Sequence, residues 1–193
     1  MDTFIIHPDI VKVIKKYVDE YPVEICANLK LYNEDSNNLV PHNVYKGKIE
    51  DDRGMCSHSE YSSHIFHSHN RKLYAYPSHQ DILLVLKHYG KIKNSIIATK
   101  WGVWVISNTL KSNIYSSTST SVPKIIRQLL DRIGVETSTT RQERERGADK
   151  SRILSDRDYI LIDRVNKTFE CLLNIKIVLY KWSDALIHGL ILS

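Results

Sequence analysis

Val23, Ile25, Ala27, Leu29 and Leu31 alternate with Glu24, Cys26, Asn28 and Lys30, the period of a strand with one face in a core. Upstream, Pro8 and Asp9 open a helix whose apolar positions Ile10, Val13, Ile14 and Tyr17 recur at i, i+3, i+4 and i+7, ending near Pro22. Leu39 to Lys48 reads as a weak strand, Asp51 to Ser59 as a polar loop and Tyr61 to His69 as an extended run. Pro77-Ser78 breaks the chain and opens a second helix, with Ile82, Val85, Leu86 and Tyr89 on one stripe and Gly90 placed to end it. Ser95 to Lys100 and Val103 to Ser107 are short β-branched and aromatic runs around Gly102, a strand pair or one bent strand.

The second half alternates in the same way. Ser116 to Ser121 is a Ser/Thr loop before a helix that begins at Val122-Pro123, carries Ile126, Leu129, Leu130 and Ile133, and has Gly134 after it. Residues 134–152 hold almost no large apolar side chain and include the charged run Arg141 to Arg146, a linker or a functional insertion. Asp156 to Leu173 is helical by its stripe of Ile162, Val165, Phe169 and Leu172, and Ile175 to Trp182 alternates as a last strand. A chain of 193 residues suits one well-buried core rather than two. The expected organisation is an α/β core over 1–133, a polar loop or insertion over 134–152, and a C-terminal helix and strand over 153–193 that complete or extend the same domain.

Chemistry concentrates between the third strand and the second helix. On an extended segment His67 and His69 point the same way, so their imidazoles converge, while Phe66 enters the opposite layer. Asp81, in the first turn of the following helix, can supply a third ligand. Two neutral imidazoles and one carboxylate leave a tetrahedral zinc ion one open position for water, the arrangement of a hydrolytic rather than a structural site. Ser78-x-x-Asp81 is equally a capping box, and the two roles are compatible. Glu24 projects from the polar face of its strand. Beside such a water it is a candidate general base and then general acid, its plain alternative being a solvated strand glutamate. His58, His64 and His79 crowd the same region as a competing ligand set, but a strand places His64 on the other side from His67, and His79 reads as a solvent-facing helix residue.

Composition narrows partners and compartment. A net charge of +5 with acidic residues interspersed shows no arginine-rich stripe, so nucleic acid is not an expected partner. Cys26, Cys56 and Cys171 are odd in number and lack Cys-x-x-Cys spacing, which predicts a reducing interior and no disulfide framework. No run is apolar enough for a membrane span and the charged start lacks a signal-peptide core. The expectation is a soluble intracellular protein of the cytoplasm or nucleus.

With these residues in place, the chain resembles the JAMM (MPN-plus) metalloproteases, whose pattern is a glutamate on an early strand, then His-x-His, then Ser-x-x-Asp. Glu24-Ile25-Cys26-Ala27 is similar to the family's Glu-apolar-Cys-Gly, His67-Ser68-His69 to its His-Ser/Thr-His, and Ser78-His79-Gln80-Asp81 fits its Ser-x-x-Asp. The order of elements across residues 5–107 also agrees. Three departures stand out: eight residues separate His69 from Ser78, one more than is usual, Asn70 stands where a proline often follows, and Ala27 replaces the glycine. The resemblance implies an MPN (JAB)-like mixed sheet flanked by helices, with cytidine-deaminase-like layering. It implies one zinc per chain on His67, His69 and Asp81, Glu24 as acid/base, and Ser78 stabilising the oxyanion. The implied activity is isopeptide hydrolysis releasing ubiquitin or a ubiquitin-like protein, with a partner subunit as a further expectation. A non-catalytic MPN-like scaffold and a zinc amidase acting on other substrates are the alternatives.

Overall fold

Six of the chain's strands hydrogen-bond side by side because the alternating runs seen in the sequence each bury one or both faces. The computed structural model describes residues 3–50, 53–56, 62–69, 76–109, 121–136 and 154–192. The order along the chain is β1 (Phe4–Ile6), α1 (Pro8–Glu20), β2 (Ile25–Leu31), β3 (Leu39–Lys46), β4 (Lys48–Glu50), β5 (Arg53–Met55), β6 (His64–Ser68) and α2 (His79–Lys87). Then come β7 (Asn94–Thr99), β8 (Gly102–Asn108), α3 (Ser121–Glu136), α4 (Asp156–Leu173), β9 (Ile175–Lys181), α5 (Trp182–His188) and β10 (Leu190–Leu192). The main sheet runs β3-β2-β6-β7-β8-β9, while β1 pairs with β10 and β4 with β5. All neighbours in the main sheet are antiparallel except β6 and β7. A parallel pair needs a crossover, and α2 supplies it.

The sheet separates two apolar layers. On one face Ile25, Ala27, Leu29, Phe66, Ile96, Val103 and Val105 pack against Val11, Ile14 and Val18 of α1 and Ala185 of α5. On the other, Ile65, Ile97, Trp104, Ile106 and Ile177 meet Ile82, Val85 and Leu86 of α2, Ile126 and Leu129 of α3, and Ile162, Val165 and Phe169 of α4. The result is a mixed α/β domain with helices on both faces. The strand β9 lies in the same sheet as β8, so the C-terminal segment shares this core. Among the described residues, no helix is long and apolar enough to cross a membrane.

Several elements differ from expectation in informative ways. The inward stripe of α1 is Val11, Ile14 and Val18, with Val13 exposed, because two overlapping apolar sets lie on this helix and the sheet selects one. Likewise α4 buries Leu173 and exposes Leu172. Gly134 lies inside α3 rather than after it, since a helix tolerates an interior glycine at a cost of about 1 kcal/mol. Helix α2 ends at Lys87, and Gly90, with φ of 78°, sits in the turn beyond. Gly102 joins β7 to β8 as a strand pair, and its φ of 151° and close approach to the Tyr180 carbonyl leave no room for a Cβ. Part of the expected polar loop over 51–59 is the β4–β5 hairpin. Neither α5 nor β10 was anticipated, and residues 51–52, 57–61, 70–75, 110–120 and 137–153, with the loops placed there, lie outside the described residues.

One buried polar chain ties the starts of β6 and β7 to the end of β8. His64 Nδ1 lies 3.1 Å from Asn94 Nδ2, and Ser107 Oγ donates to Asn94 Oδ1 at 2.5 Å. Burial first, and the Lys93 ammonium second, lower the His64 imidazole from 6.5 to about 4. Between those values the unfolded chain binds a proton that the folded chain refuses, so stability falls as pH drops through this window. The full loss is about 3 kcal/mol. Urea unfolding at pH 7 and pH 4.5 is expected to show the larger part of this loss in the wild type and little of it in His64→Gln.

Candidate metal centre

The strand β6 places His67 and Ile65 on the face that carries α2, and His64, Phe66 and Ser68 on the other. His69 follows the last strand residue, yet its N–H donates to Ala98 O at 2.8 Å, so the ladder with β7 still orients it. At the start of α2, Ser78 caps the helix: its Oγ accepts from Asp81 N at 3.3 Å, while Asp81 Oδ2 accepts from Ser78 N at 2.6 Å. That reciprocal pair fixes the Asp81 carboxylate over the end of β6. Ligand sites form readily at this place, where a parallel strand ends and its crossover helix begins.

The three groups meet. His67 Nε2 lies 3.3 Å from His69 Nε2 and 3.1 Å from Asp81 Oδ1, and His69 Nε2 lies 3.5 Å from Asp81 Oδ2. All three residues are buried, and they form a group able to hold a metal ion. Zinc–ligand bonds of about 2.0–2.1 Å at tetrahedral angles separate neighbouring ligand atoms by about 3.3 Å. The observed spacings bracket that value, and two imidazoles with a carboxylate are a donor set that zinc takes. Burial acts to raise the Asp81 carboxyl, and the His67 and His69 imidazoles outweigh it, holding the group well below the usual carboxylate range. Asp81 is therefore ionised and ready to ligate.

Glu24 immediately precedes β2. Cys26 stands opposite His67 in the β2–β6 ladder, and directly opposed residues share a face, so Cys26 and Glu24 lie on the metal-ligand side. Glu24 is buried. That burial raises its carboxyl, the imidazoles of His67 and His69 partly counter the effect, and the Asp81 carboxylate adds to it. A carboxylate of raised proton affinity beside the ligand cluster is placed as a general base requires.

Two further features were missed by the sequence reading. Ser68, between the two histidines, accepts from Ile25 N at 2.9 Å through its fully buried Oγ. It is the tie between the strand of the ligands and the strand of Glu24 just where the ladder ends. Ser68→Ala should leave that amide unpaired at a cost of about 1–3 kcal/mol, measurable by chemical denaturation, with zinc content unchanged. The second is a correction: Cys26 and Cys56 form a disulfide, against the expectation of none, and Cys171 is free and exposed. Thirty positions apart and without a spacing motif, the pair meets only because the β4–β5 hairpin turns the chain back onto β2.

Tyr76 fixes the approach to α2. It is buried against Trp104, and its hydroxyl donates to Asn166 Oδ1 on α4 at 2.6 Å. Whatever path 70–75 takes, its end is held by that anchor. His64 bonds to Asn94 on the opposite side and takes no part in the cluster. His58 lies outside the described residues, and His79 stands at intermediate exposure two residues before Asp81.

The chain matches no protein-family model, no curated protein and no solved structure. Fold and site together define a mixed α/β domain with a buried two-histidine, one-aspartate cluster suited to a metal ion.

Proposed function

We propose that the chain is a zinc-dependent hydrolase of the JAMM (MPN-plus) kind, cleaving an amide or isopeptide bond. The observation that carries this reading is the spacing of His67, His69 and Asp81 at the separations of three zinc ligands, with Glu24 buried on the same face. The six-stranded mixed sheet, the helix crossover between its parallel strands and the resemblance of the motif all support an MPN-like fold.

When bound, zinc would polarise the scissile carbonyl and bring the pKa of water near neutrality. His67, His69 and Asp81 would hold the ion and exclude bulk water from one side of it. Glu24 takes the proton of the attacking water and delivers it to the leaving amine, a cycle its raised proton affinity suits. Ser78, anchored by its bonds with Asp81, offers a hydroxyl to the carbonyl oxygen as negative charge develops there. By the family resemblance, the bond joins the C-terminus of ubiquitin or a ubiquitin-like protein to a lysine.

Elemental analysis of the purified wild type is expected to find about one zinc per chain, lost in His67→Ala. A panel of linked ubiquitins, run beside small amides, then separates isopeptidase from general amidase. A well-folded wild type without zinc would overturn this reading in favour of a scaffold.

A further inference from the structure

Cys26 is fully buried two residues after Glu24 and opposite His67, whereas Cys56, just after β5, is partly exposed. Cys56 Sγ lies 3.7 Å from Glu24 Oε2. Having no S–H in the disulfide, that sulfur donates nothing to the carboxylate and serves as part of the wall around it. The β4–β5 hairpin that delivers Cys56 is a separate two-stranded sheet, and a hairpin alone is marginally stable. The bond from Gly47 N to Glu24 O at 2.8 Å and the disulfide both join it to the Glu24 end of β2. Breaking the disulfide leaves the first as a hinge.

We propose that Cys26 and Cys56 are a site of reversible exchange with small thiols of the glutathione class, and that their disulfide latches Cys56 and the β4–β5 hairpin that carries it against Glu24 beside the metal centre. The chemistry is directional. An incoming thiolate reaches the partly exposed Cys56 sulfur, forms a mixed disulfide there and expels the Cys26 sulfur, which takes up a proton. A second thiolate attacks the small-molecule sulfur of that mixed disulfide and releases Cys56 as a thiol. The balance is one protein disulfide and two small thiols giving two protein thiols and one small disulfide. In the reduced state the disulfide no longer holds the hairpin, and the wall beside Glu24 opens. The latch is a property of the chain, and only its effect on zinc rests on the function proposed above.

The test uses the whole protein in glutathione buffers of graded redox ratio, read by intact mass after thiol labelling. Oxidised protein should label at Cys171 alone and reduced protein at all three cysteines, reversibly. Hydrogen exchange in peptides covering 24–27 and 44–56 is expected to rise about tenfold on reduction. Zinc loss to a chelator should accelerate by a similar factor, with Cys56→Ser fast under both conditions and Cys171→Ser like the wild type. Three labelled thiols at every ratio, or exchange that does not change when the label count does, would overturn the proposal. So would equal zinc-loss rates in a zinc-loaded wild type. A wild type that holds no zinc refutes the hydrolase reading instead, and the latch is then decided by hydrogen exchange alone.

Discussion

Glu24→Gln is expected to retain zinc and lose about 10²–10⁴-fold in turnover, the contribution of a positioned acid/base. The substitution keeps the size of the side chain and leaves His67, His69 and Asp81 untouched, so the metal should remain. It removes the group that accepts the water's proton. Glu24 lies in buried surroundings that raise its carboxyl, and an amide there imposes no charge to desolvate, so the fold should be at least as stable as the wild type. Zinc content, melting temperature and turnover measured on one preparation check all three parts. Wild-type turnover in a zinc-loaded variant would remove Glu24 from the mechanism.

Asp81→Ala is expected to lose zinc and activity together, and to lower stability as well. Loss of a group that merely supports a ligand costs about 10–100-fold in metal affinity, so removing a ligand itself should exceed that range. The same carboxylate accepts from Ser78 N, and its loss unmakes half of the capping box, about 1 kcal/mol. Asp81→Asn separates the two roles. Its side-chain oxygen can still accept from Ser78 N, while the charge that pairs with two imidazoles is gone. Zinc titration should therefore rank both variants far below wild type, whereas thermal unfolding without metal should place Asn above Ala. A fully loaded Asp81→Ala protein would show that the ligand lies elsewhere.

The ligand cluster was legible because its residues sit at short spacings inside regular elements. His67 and His69 share a face by the two-residue period of an extended chain, and Asp81 is placed by the capping box at the start of α2. The additional residue between His69 and Ser78 does not keep them apart: the Tyr76 anchor on Asn166 and Trp104 holds the far end of that stretch. Nothing in the local sequence announces that anchor, since Asn166 is ninety positions away. The Cys26–Cys56 disulfide and the Ser68 bond to Ile25 were hidden for the same reason.

What the sequence determined by itself is periodic and local. The alternation around Glu24, the helix starts at Pro8, Ser78 and Asp156, and the convergence of His67 with His69 all follow from repeat lengths and caps spanning a few residues. Only the tertiary structure decided which apolar set of α1 faces the sheet, that β6 and β7 run parallel, and that α5 and β10 close the chain onto β1. It alone also brought Cys56 to Glu24. These outcomes depend on contacts between residues tens of positions apart, whose energies are set by the packed core as a whole rather than by any short pattern.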